Sequence, residues 1–371
     1  MPRAIVAVTN DLVTDQRVRK VCLLLQETGF DVLLVGRRLP ESPPMDERPY
    51  PWKRMRLLFR KGPLFYAEYN IRLFFFLLLR RASLLVANDL DTLPAAWAVS
   101  RLRRLPLIYD SHEFFTEVPE LVGRRARSVW LWFERRIFPG LKDVITVSDS
   151  IAAAYEQKYG VKVQVVRNLP ARDHLPHVQP LTPQEAGIPA GKKVVILQGS
   201  GINRDRGGEE AVRAMRYVEE AVLLVVGSGD ALPEMKRLAR EEGLQEKVIF
   251  IPRQPLEKLY AYTALADVGL SLDKDDSLNQ LYSLPNKIFD YIYNGVPVLV
   301  SDLPEVSRIV KEYDVGLVLD EYSEEAMASA INWMLEKDYK KMKAGQLQQA
   351  AAALTWENEK ETLEKIFKKY V

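Results

Sequence analysis

The sequence predicts an α/β protein with two doubly wound domains in tandem. Short apolar strands alternate with amphipathic helices through the first half of the chain, and the alternation begins again near residue 193. Such alternation is typical of parallel βαβ units. The chain has 371 residues, whereas most domains span about 100–200 residues. The pattern and the length together favour two domains.

The elements of the first half follow from short apolar runs, each with a polar loop after it. They are, in chain order, strand 4–8, helix 15–27, strand 31–35, strand 84–87, helix 94–103, strand 107–109 and strand 144–147. Gly29 supplies the stop signal for the first helix. We therefore expect residues 1–168 to form the first domain.

The second half begins after a stretch with the composition of a linker. Residues 169–191 contain five prolines and two glycines. The elements predicted beyond it are strand 193–198, helix 208–217, strand 222–226, helix 232–242 and strands 248–251, 268–272 and 296–300. We therefore expect a linker at 169–190, a second domain at 191–355 and a C-terminal helix at 356–371.

Composition excludes several classes of protein. With 47% hydrophobic and 27% charged residues, the chain is neither disordered nor collagen-like. Cys22 is the single cysteine, which excludes an intrachain disulfide, and only three histidines are present. No apolar run approaches the roughly 18 residues that span a bilayer, and no signal-peptide pattern is visible. We therefore expect a cytoplasmic protein without a metal centre.

The net charge of +2 conceals an asymmetry between the halves. Residues 1–168 hold 27 Lys and Arg against 18 Asp and Glu, a net charge of +9. The remaining 25 basic and 32 acidic residues give 169–371 a net charge of −7. A division of this kind predicts two units with different partners.

Two segments of the basic half combine positive charge with aromatic residues, namely 52–81 and 124–142. The first contains eight Lys and Arg, and Glu68 is its only acidic residue. This combination is typical of attachment to an anionic membrane surface, which we favour. The alternatives are helices with a solvated basic side, or a nucleic-acid surface. No recognised nucleic-acid motif accompanies the segments, so we expect no nucleic acid as a partner.

A glycine-rich loop, GSGINRDRGG at residues 199–208, joins a predicted strand to a predicted helix. Glycines such as Gly201 let the backbone approach a ligand, and a helix N-terminus offers N–H groups to an anion. Arg204 and Arg206 could then contact phosphate. The alternative is a tight turn with solvated arginines. The loop is neither GxGxxG nor a Walker A sequence, which disfavours NAD and P-loop proteins.

A second candidate phosphate site is SLPNKIFDY at residues 283–291. Lys287 falls in the first turn of a predicted helix, where the positive end of the dipole disfavours a cation unless an anion is nearby. Asp290 lies one turn later on the same face and could accept hydrogen bonds from a ribose diol. The alternative is an ordinary surface pair between these two residues.

Two loops of the first half carry further candidates. His112 follows the strand 107–109, and its neighbours Asp110 and Glu113 could hold it in a defined tautomer that contacts a sugar hydroxyl. The alternative is a hydrogen-bonded structural histidine. Asn10 and Asp11 end the first strand. Arg17 and Arg19 follow on the first helix, where residues two apart do not share a face.

Together these segments resemble glycosyltransferase family 4, whose members use nucleotide sugars and have the GT-B fold. SLPNKIFDYIYNGVPVLVSDLPEV is similar to the C-terminal motif of the family, and GSGINRDRGGEEAV is similar to its glycine loop. VTNDLVTDQRVRKVCLLLQETGFDVLLVGR and YDSHEFF resemble its acceptor-side domain. The resemblance implies two Rossmann-like domains that face a cleft, with the last helix crossing back to the first domain.

The resemblance also implies a function. It is that of a retaining glycosyltransferase that needs no metal, acts on a carbohydrate or lipid-linked acceptor and takes part in bacterial surface polysaccharide or glycolipid biosynthesis. The residues that would bind the donor are Gly201, Arg204, Arg206, Asn286, Lys287 and Asp290. Catalysis would involve His112, Asp110 and Glu113, and the acceptor or cleft loop would contain Asn10, Asp11 and Arg17.

One position departs from the family, and three other functions stay open. The family has two Glu residues eight positions apart; the second corresponds to Asp290, but the first falls at Tyr282, which is no carboxylate. Asp89 and Asp91 form a DxD, the metal signature of a different glycosyltransferase fold, which we interpret as a coincidence. The alternatives are a nucleotide-sugar 2-epimerase of the same fold, a non-catalytic nucleotide-sugar binder, and an oxidoreductase, which lacks GxGxxG after the first strand.

Overall fold

A computed structural model describes residues 1–13, 15–40, 42–171 and 179–371. The chain folds as two compact units. Unit 1 contains Met1–Asn168, Ser277–Asn279 and Glu359–Val371, and unit 2 contains Leu169–Asp276 and Gln280–Asn358. Residues 172–178 of the predicted linker lie outside the described residues.

Unit 1 is built on a parallel sheet of seven strands in the order β3-β2-β1-β4-β5-β6-β7, counted over the described residues. These strands are β1 (Arg3–Asp11), β2 (Asp31–Arg38), β3 (Trp52–Arg56), β4 (Leu84–Asn88), β5 (Leu107–Ser111), β6 (Asp143–Thr146) and β7 (Val163–Val165). The chain reverses direction along the sheet between β3 and β4, since β4 pairs with the other side of β1. The doubly wound prediction for this half is confirmed.

Five helices connect these strands within the described residues: α1 (Gln16–Glu27), α2 (Gly62–Leu79), α3 (Leu93–Arg103), α4 (Arg125–Ile137) and α5 (Asp149–Tyr159). Helix α1 begins where the Asp15 side chain accepts a hydrogen bond from the backbone N–H of Val18, and α5 begins in the same way at Ser148. The sequence analysis gave no bounds for β3, β7, α2, α4 or α5. Helix α2 is apolar on nearly every side, so it shows no helical periodicity.

Unit 2 contains a second parallel sheet, with six described strands in the order β10-β9-β8-β11-β12-β13. They are β8 (Lys193–Gly199), β9 (Ala221–Gly227), β10 (Val248–Pro252), β11 (Val268–Ser271), β12 (Val298–Val300) and β13 (Gly316–Val318). The side chains of β8, β9, β11 and β12 are mostly Val, Ile and Leu and are buried on both faces of the sheet, whereas the edge strands β10 and β13 are largely only partly buried. The second doubly wound domain is thus also confirmed.

The helices of unit 2, within the described part of the chain, are α6 (Gly208–Ala214), α7 (Leu232–Glu241), α8 (Leu256–Ala264), α10 (Asn286–Tyr293), α11 (Pro304–Tyr313), α12 (Glu324–Glu336), α13 (Tyr339–Met342) and α14 (Ala344–Ala353). The short helix α9 (Leu278–Leu281) begins in unit 1 and ends in unit 2. The last helix, α15 (Trp356–Phe367), begins in unit 2 and continues in unit 1 from Glu359. In unit 1, Glu359 accepts a hydrogen bond from the backbone N–H of Arg167, and Lys369 forms an ion pair with Asp143 at 2.7 Å. No described helix is both long enough and apolar enough to cross a bilayer.

The parallel strands bring the candidate residues of each unit to one edge of its sheet. In unit 1, Asn88 of β4 lies opposite Asp110 of β5, so the loops after these two strands are neighbours. In unit 2, β8 lies between β9 and β11, so the loop that begins at Gly199 lies beside the residues that follow Ser271. Ligands of doubly wound sheets bind at this carboxyl edge.

Candidate active site

The glycine-rich loop of unit 2 depends on two backbone positions that exclude a side chain. Gly227, which ends β9, has φ +149°, and a Cβ there would lie 1.8 Å from the carbonyl oxygen of Gly199. Gly207 has φ +73°, and a Cβ there would lie 2.4 Å from Leu272. The loop therefore packs backbone against backbone on both sides, which places Arg206 beside the end of β11.

Arg206 and Lys287 converge on one buried carboxylate, that of Asp273. The Arg206 Nη1 lies 3.1 Å from Asp273 Oδ1, and the Lys287 Nζ lies 3.2 Å from Oδ2. Asp273 is 1% exposed, whereas the two cations are partly accessible. Two positive charges thus share one negative charge at the carboxyl edge of the sheet, which leaves the pair able to attract a further anion.

Asp273 also explains why a cation, Lys287, is tolerated in the first turn of α10. Sequence analysis expected a ligand phosphate to balance this cation, but in the described structure the Asp273 carboxylate balances it. The alternative surface pair with Asp290 is wrong, because the two residues have different partners. Asp290 accepts hydrogen bonds from the Tyr260 hydroxyl at 2.8 Å and from Gln198 Nε2 at 3.4 Å. Burial raises the pKa of Asp290 to about 6, although these hydrogen bonds act in the opposite direction.

The other predicted donor residues lie in the same region of unit 2. Gly201 is half-buried in the loop after β8, and Asn286 is the exposed first residue of α10. The Arg204 side chain is exposed, and its backbone N–H donates to Asp230. Tyr282, at the position of the first family Glu, is half-buried just before α10. Among the predicted donor residues, the side chains of Arg206, Lys287 and Asp290 are therefore the ones held by specific contacts with other side chains.

The candidate site of unit 1 is a histidine between two aspartates. His112 Nδ1 lies 3.5 Å from Asp89 Oδ2, and His112 Nε2 lies 3.4 Å from Asp110 Oδ2. The backbone N–H of His112 also donates to Asp89 Oδ1 at 2.8 Å. Burial lowers the pKa of His112, but Asp89 and Asp110 outweigh burial and raise it to about 9. Asp89 and Asp110 thus favour the protonated imidazole at neutral pH, in which both ring nitrogens carry a proton.

Arg17 and Asp110 form a buried ion pair beneath His112. Arg17 Nη2 and Nε donate to the two oxygens of Asp110 at 2.7 and 3.2 Å, and Nη1 donates to the carbonyl of Val166. The side chains are 3% and 2% exposed. Burial opposes the charge of Asp110, but Arg17 and then His112 hold its pKa well below the usual range. The expectation that Arg17 contacts an acceptor is therefore corrected, because the guanidinium is sealed inside the unit.

A cavity of ≈ 410 Å³ opens beside His112. Its walls include both residues of the DxD sequence, Glu113, Asn10, Arg37, Phe65 and Tyr66. Asn10 is exposed and donates to Asp15. Asp11 does not line the cavity; its carboxylate is 9% exposed, accepts from the N–H of Val13 and the hydroxyl of Ser42, and lies 3.6 Å from Arg54. Of the acceptor-loop predictions, only Asn10 therefore borders this cavity.

Two acids in the cavity wall have raised pKa values. Burial, Asp89 and Asp91 raise the pKa of Glu113 to about 8. Burial and Asp89 raise the pKa of Asp91 to about 7, although the hydroxyl of Thr9 donates to it at 2.6 Å. Glu113 is thus a neutral carboxylic acid at pH 7, able to donate a hydrogen bond. Its predicted place as one of the two carboxylates that hold His112 is taken by Asp89.

The sequence analysis overlooked several residues of both sites. Asp89 and Asp91 were seen and set aside as a coincidental metal signature. Asp273 follows β11 at the same edge as the glycine loop, and Gln198 and Tyr260 come from β8 and α8. The rule that ligands bind after parallel strands could have found Asp89 and Asp273. No local pattern marks Gln198 or Tyr260, because their role depends on the packing of α8 and α10.

Comparison with known proteins gives the same assignment for most of the chain. Residues 14–171 match the family model "Glycosyl transferase 4-like domain", and residues 179–351 match "Glycosyl transferases group 1". A GDP-mannose-dependent alpha-(1-6)-phosphatidylinositol monomannoside mannosyltransferase of Mycolicibacterium smegmatis is 27% identical over 157 residues, 39% of this chain and 39% of that protein. The matched stretches span about two fifths of the length of the curated relatives.

Solved structures show the same fold over the whole chain. Sucrose-phosphate synthase of Thermosynechococcus elongatus has a TM-score of 0.79 at 17% identity, covering 100% of this chain and 99% of that one. Anabaena HepE, solved with UDP and glucose, has a TM-score of 0.76 at 14% identity and covers 100% of both chains. With both halves matched by successive family models and both sheets in the expected order, the chain belongs to the family 4-type glycosyltransferases with the GT-B fold.

Proposed function

We propose that this protein transfers a sugar, with retention of configuration, from a nucleotide diphosphate sugar to a hydroxyl group of an acceptor. The observation that carries the proposal is the pair of cations, Arg206 and Lys287, on the single buried carboxylate of Asp273. A diphosphate leaving group gains negative charge as the glycosidic bond breaks, and preorganised cations stabilise that charge. We therefore assign unit 2 to the donor and unit 1 to the acceptor.

The donor nucleotide is supported by two relatives. The HepE structure carries UDP, and the mycobacterial relative is described as GDP-mannose-dependent. The carboxylate of Asp290 is already held by Tyr260 and Gln198, so it presents its remaining lone pairs to a ribose diol in one orientation. The base and the sugar of the donor are to be identified by experiment.

The chemistry of unit 1 suits a hydroxyl-rich molecule such as a sugar. The walls of the His112 cavity include acids and an amide, all of which can form hydrogen bonds with hydroxyl groups. Asp89 and Asp110 flank the imidazole of His112, and Arg17 holds Asp110 in place. We therefore propose that His112 contacts sugar, while Asp110 positions His112 and is itself positioned by Arg17.

We further propose that the reaction needs no divalent cation. Arg206 and Lys287 supply two positive charges where the diphosphate would bind, which is the role that Mg²⁺ has in many nucleotide enzymes. Transfer should then proceed unchanged in excess EDTA. A rate that falls in EDTA and returns with added Mg²⁺ would contradict this part of the proposal.

We also propose that the protein works at the inner face of a membrane, in glycolipid or polysaccharide synthesis. Support comes from exposed apolar side chains on two basic segments, among them Phe75 at 55%, Leu79 at 82% and Trp132 at 61%. Vesicles with anionic lipid should float the wild type but less of Phe75→Ser/Leu79→Ser, with Trp333→Ser of unit 2 as the control. Equal flotation of the wild type and both variants would contradict the proposed attachment to the membrane.

The central experiment is a thermal-shift panel of UDP, GDP, ADP, CDP and dTDP. A ligand at 100 to 1,000 times its Kd stabilises the folded state by about 3–4 kcal/mol, which raises Tm measurably. We expect one nucleotide to stabilise the wild type and the control Glu336→Ala, and to stabilise Asp290→Ala far less. That nucleotide's sugar conjugates are then tested for nucleotide release with and without an acceptor. Failure of every nucleotide to shift Tm would overturn the proposed function.

A further inference from the structure

A second cavity of unit 1, of ≈ 360 Å³, adjoins the one beside His112. It lies where β2 and β3 end, at the same edge of the sheet as the loops after β1, β4 and β5. Four of its wall residues are arginines, namely Arg37, Arg38, Arg56 and Arg60. Arg37 and Phe65 line both cavities, so the two cavities are direct neighbours. We call this second space the arginine cavity.

The arginine cavity holds positive charge without a matching carboxylate. Among the residues that the structure describes, none of its four arginines forms an ion pair with Asp or Glu. Neighbouring arginines do: Arg54 lies 3.6 Å from Asp11, and Arg72 lies 2.8 Å from Glu68. Within the described residues, Lys53, Lys61, Arg80 and Arg81 of the same segment also lack such a pair, so what distinguishes the cavity is that it gathers four unpaired arginines in one place.

The strand register brings two of these charges together. Arg38 of β2 lies directly opposite Arg56 of β3. Like charges at directly paired positions on adjacent strands destabilise a sheet, and the effect grows where no counter-charge is near. A bound anion would reverse the sign of that contribution.

The side chain of Arg37 is restrained by an aromatic ring and has an N–H group without an acceptor among the described residues. Its guanidinium lies 4.6 Å from the centre of the Phe65 ring, which restricts the side chain. Its Nε is buried and has no hydrogen-bond partner within the described structure. A buried N–H without an acceptor is costly, and a ligand oxygen in the shared wall of the two cavities would satisfy it.

We propose that the acceptor carries a phosphoryl group, which binds in the arginine cavity while the hydroxyl-bearing part of the same molecule occupies the His112 cavity. The inference rests on the proposed function and specifies its acceptor. A phosphate ester or a diphosphate has several oxygen atoms and more than one negative charge. Such a group can therefore accept hydrogen bonds from several guanidinium groups, which a single carboxylate cannot do as well. The phosphoryl group can belong to a lipid carrier or to a soluble sugar phosphate.

The first test measures binding of inorganic pyrophosphate and of glucose 1-phosphate by calorimetry. We expect Arg56→Gln/Arg60→Gln to weaken both at least tenfold. The control is Arg81→Gln/Arg101→Gln, which removes the same charge from exposed positions of unit 1 outside the cavity. Because both pairs lie at the surface, we expect neither variant to have a Tm below that of the wild type. Equal affinity in the wild type and both double variants would overturn the proposal.

The donor site also attracts diphosphate, so Arg206→Gln is measured in parallel. We expect this variant to lose the response to nucleotides and to retain binding of glucose 1-phosphate. Arg56→Gln/Arg60→Gln should show the reverse pattern. If no nucleotide binds to the wild type but glucose 1-phosphate still binds through Arg56 and Arg60, the proposed function is contradicted and this inference is not. If nucleotides bind but glucose 1-phosphate binding does not depend on Arg56 and Arg60, this inference is contradicted and the proposed function is not. If Arg206→Gln abolishes all phosphate binding, the arginine cavity has no phosphate site.

Two further arms identify the source of the phosphoryl group. Phosphatidylcholine vesicles with undecaprenyl phosphate are compared with vesicles that carry the same charge as phosphatidylglycerol. If the wild type binds the vesicles with undecaprenyl phosphate more tightly, and Arg56→Gln/Arg60→Gln does not, the phosphoryl group belongs to a lipid carrier. Tight binding of glucose 1-phosphate without that preference supports a soluble sugar phosphate. Absence of both overturns the proposal.

Discussion

The two candidate sites differ in the charged groups that line them. Residues 1–168 carry a net charge of +9, but the His112 cavity mixes cations with acids, two of which have raised pKa values. Residues 169–371 carry −7, yet the site there has two cations on the one carboxylate of Asp273. The net charge of a segment therefore does not predict the charge of the site that the segment contains.

The sites differ also in how their charges are stabilised. In unit 1 the pair of Arg17 and Asp110 is buried and satisfied within the protein, so Asp110 keeps a fixed position beside His112 whether or not a ligand is present. In unit 2 Arg206 is 37% exposed at its side chain, so solvent or a ligand can reach it. We interpret the first site as a rigid support for a sugar and the second as an adaptable anion site. The following predictions test this difference, beginning with the largest expected effect.

Asp110→Asn should destabilise unit 1 most. The substitution leaves the guanidinium of Arg17 buried without a counter-charge, and breaking such a pair costs about 3–5 kcal/mol. Urea unfolding measures the loss. The matched control is Asp31→Asn, since the surface pair of Arg3 and Asp31 should contribute less than about 1 kcal/mol. Equal losses in both variants would show that Arg17 finds another partner or is hydrated.

The charge of His112 should make stability depend on pH. Its pKa is about 9 in the folded protein against 6.5 for an unperturbed histidine. The stabilisation is therefore complete below pH 6.5 and disappears as pH rises through 9. The difference in unfolding free energy between wild type and His112→Asn should shrink by about 3 kcal/mol between pH 6 and 10, since each pKa unit corresponds to 1.36 kcal/mol. The same comparison in an Asp89→Asn background should give a smaller change. A difference independent of pH would contradict the assignment of charge.

Lys287→Gln should weaken nucleotide binding without unfolding unit 2. Arg206 still balances Asp273, but one charged contact to the diphosphate is lost, which corresponds to about 1.5–3 kcal/mol or about 10- to 100-fold in Kd. Calorimetry with the stabilising nucleotide measures it. Lys311→Gln, at an exposed position of α11, serves as the control and should bind normally. An unchanged Kd would remove Lys287 from the donor site.

Arg204→Gln should have the smallest effect, less than about threefold in Kd for the same nucleotide, in keeping with an exposed, solvated charge. Sequence analysis treated Arg204 and Arg206 alike, but only Arg206 is directed at Asp273. The same titration compares the two. A loss equal to that of Lys287→Gln would show that the loop closes over the ligand and brings Arg204 into contact.

The sequence by itself determined the doubly wound character of both halves, ten of the thirteen described strands and the glycine loop, and it singled out His112 and Lys287 as candidates. Apolar periodicity and glycine positions are local properties of the chain, and a parallel sheet brings the ends of its strands to one edge whatever its details. The family resemblance supplied the candidate function from the same local motifs.

Only the tertiary structure decided the partners of those residues. That Asp89 rather than Glu113 holds His112, that Arg17 is buried on Asp110, and that Asp273 joins Arg206 to Lys287 all depend on contacts between segments far apart in sequence. The charge of a buried group depends on burial and on every neighbouring charge, neither of which has a signature in the sequence around that group.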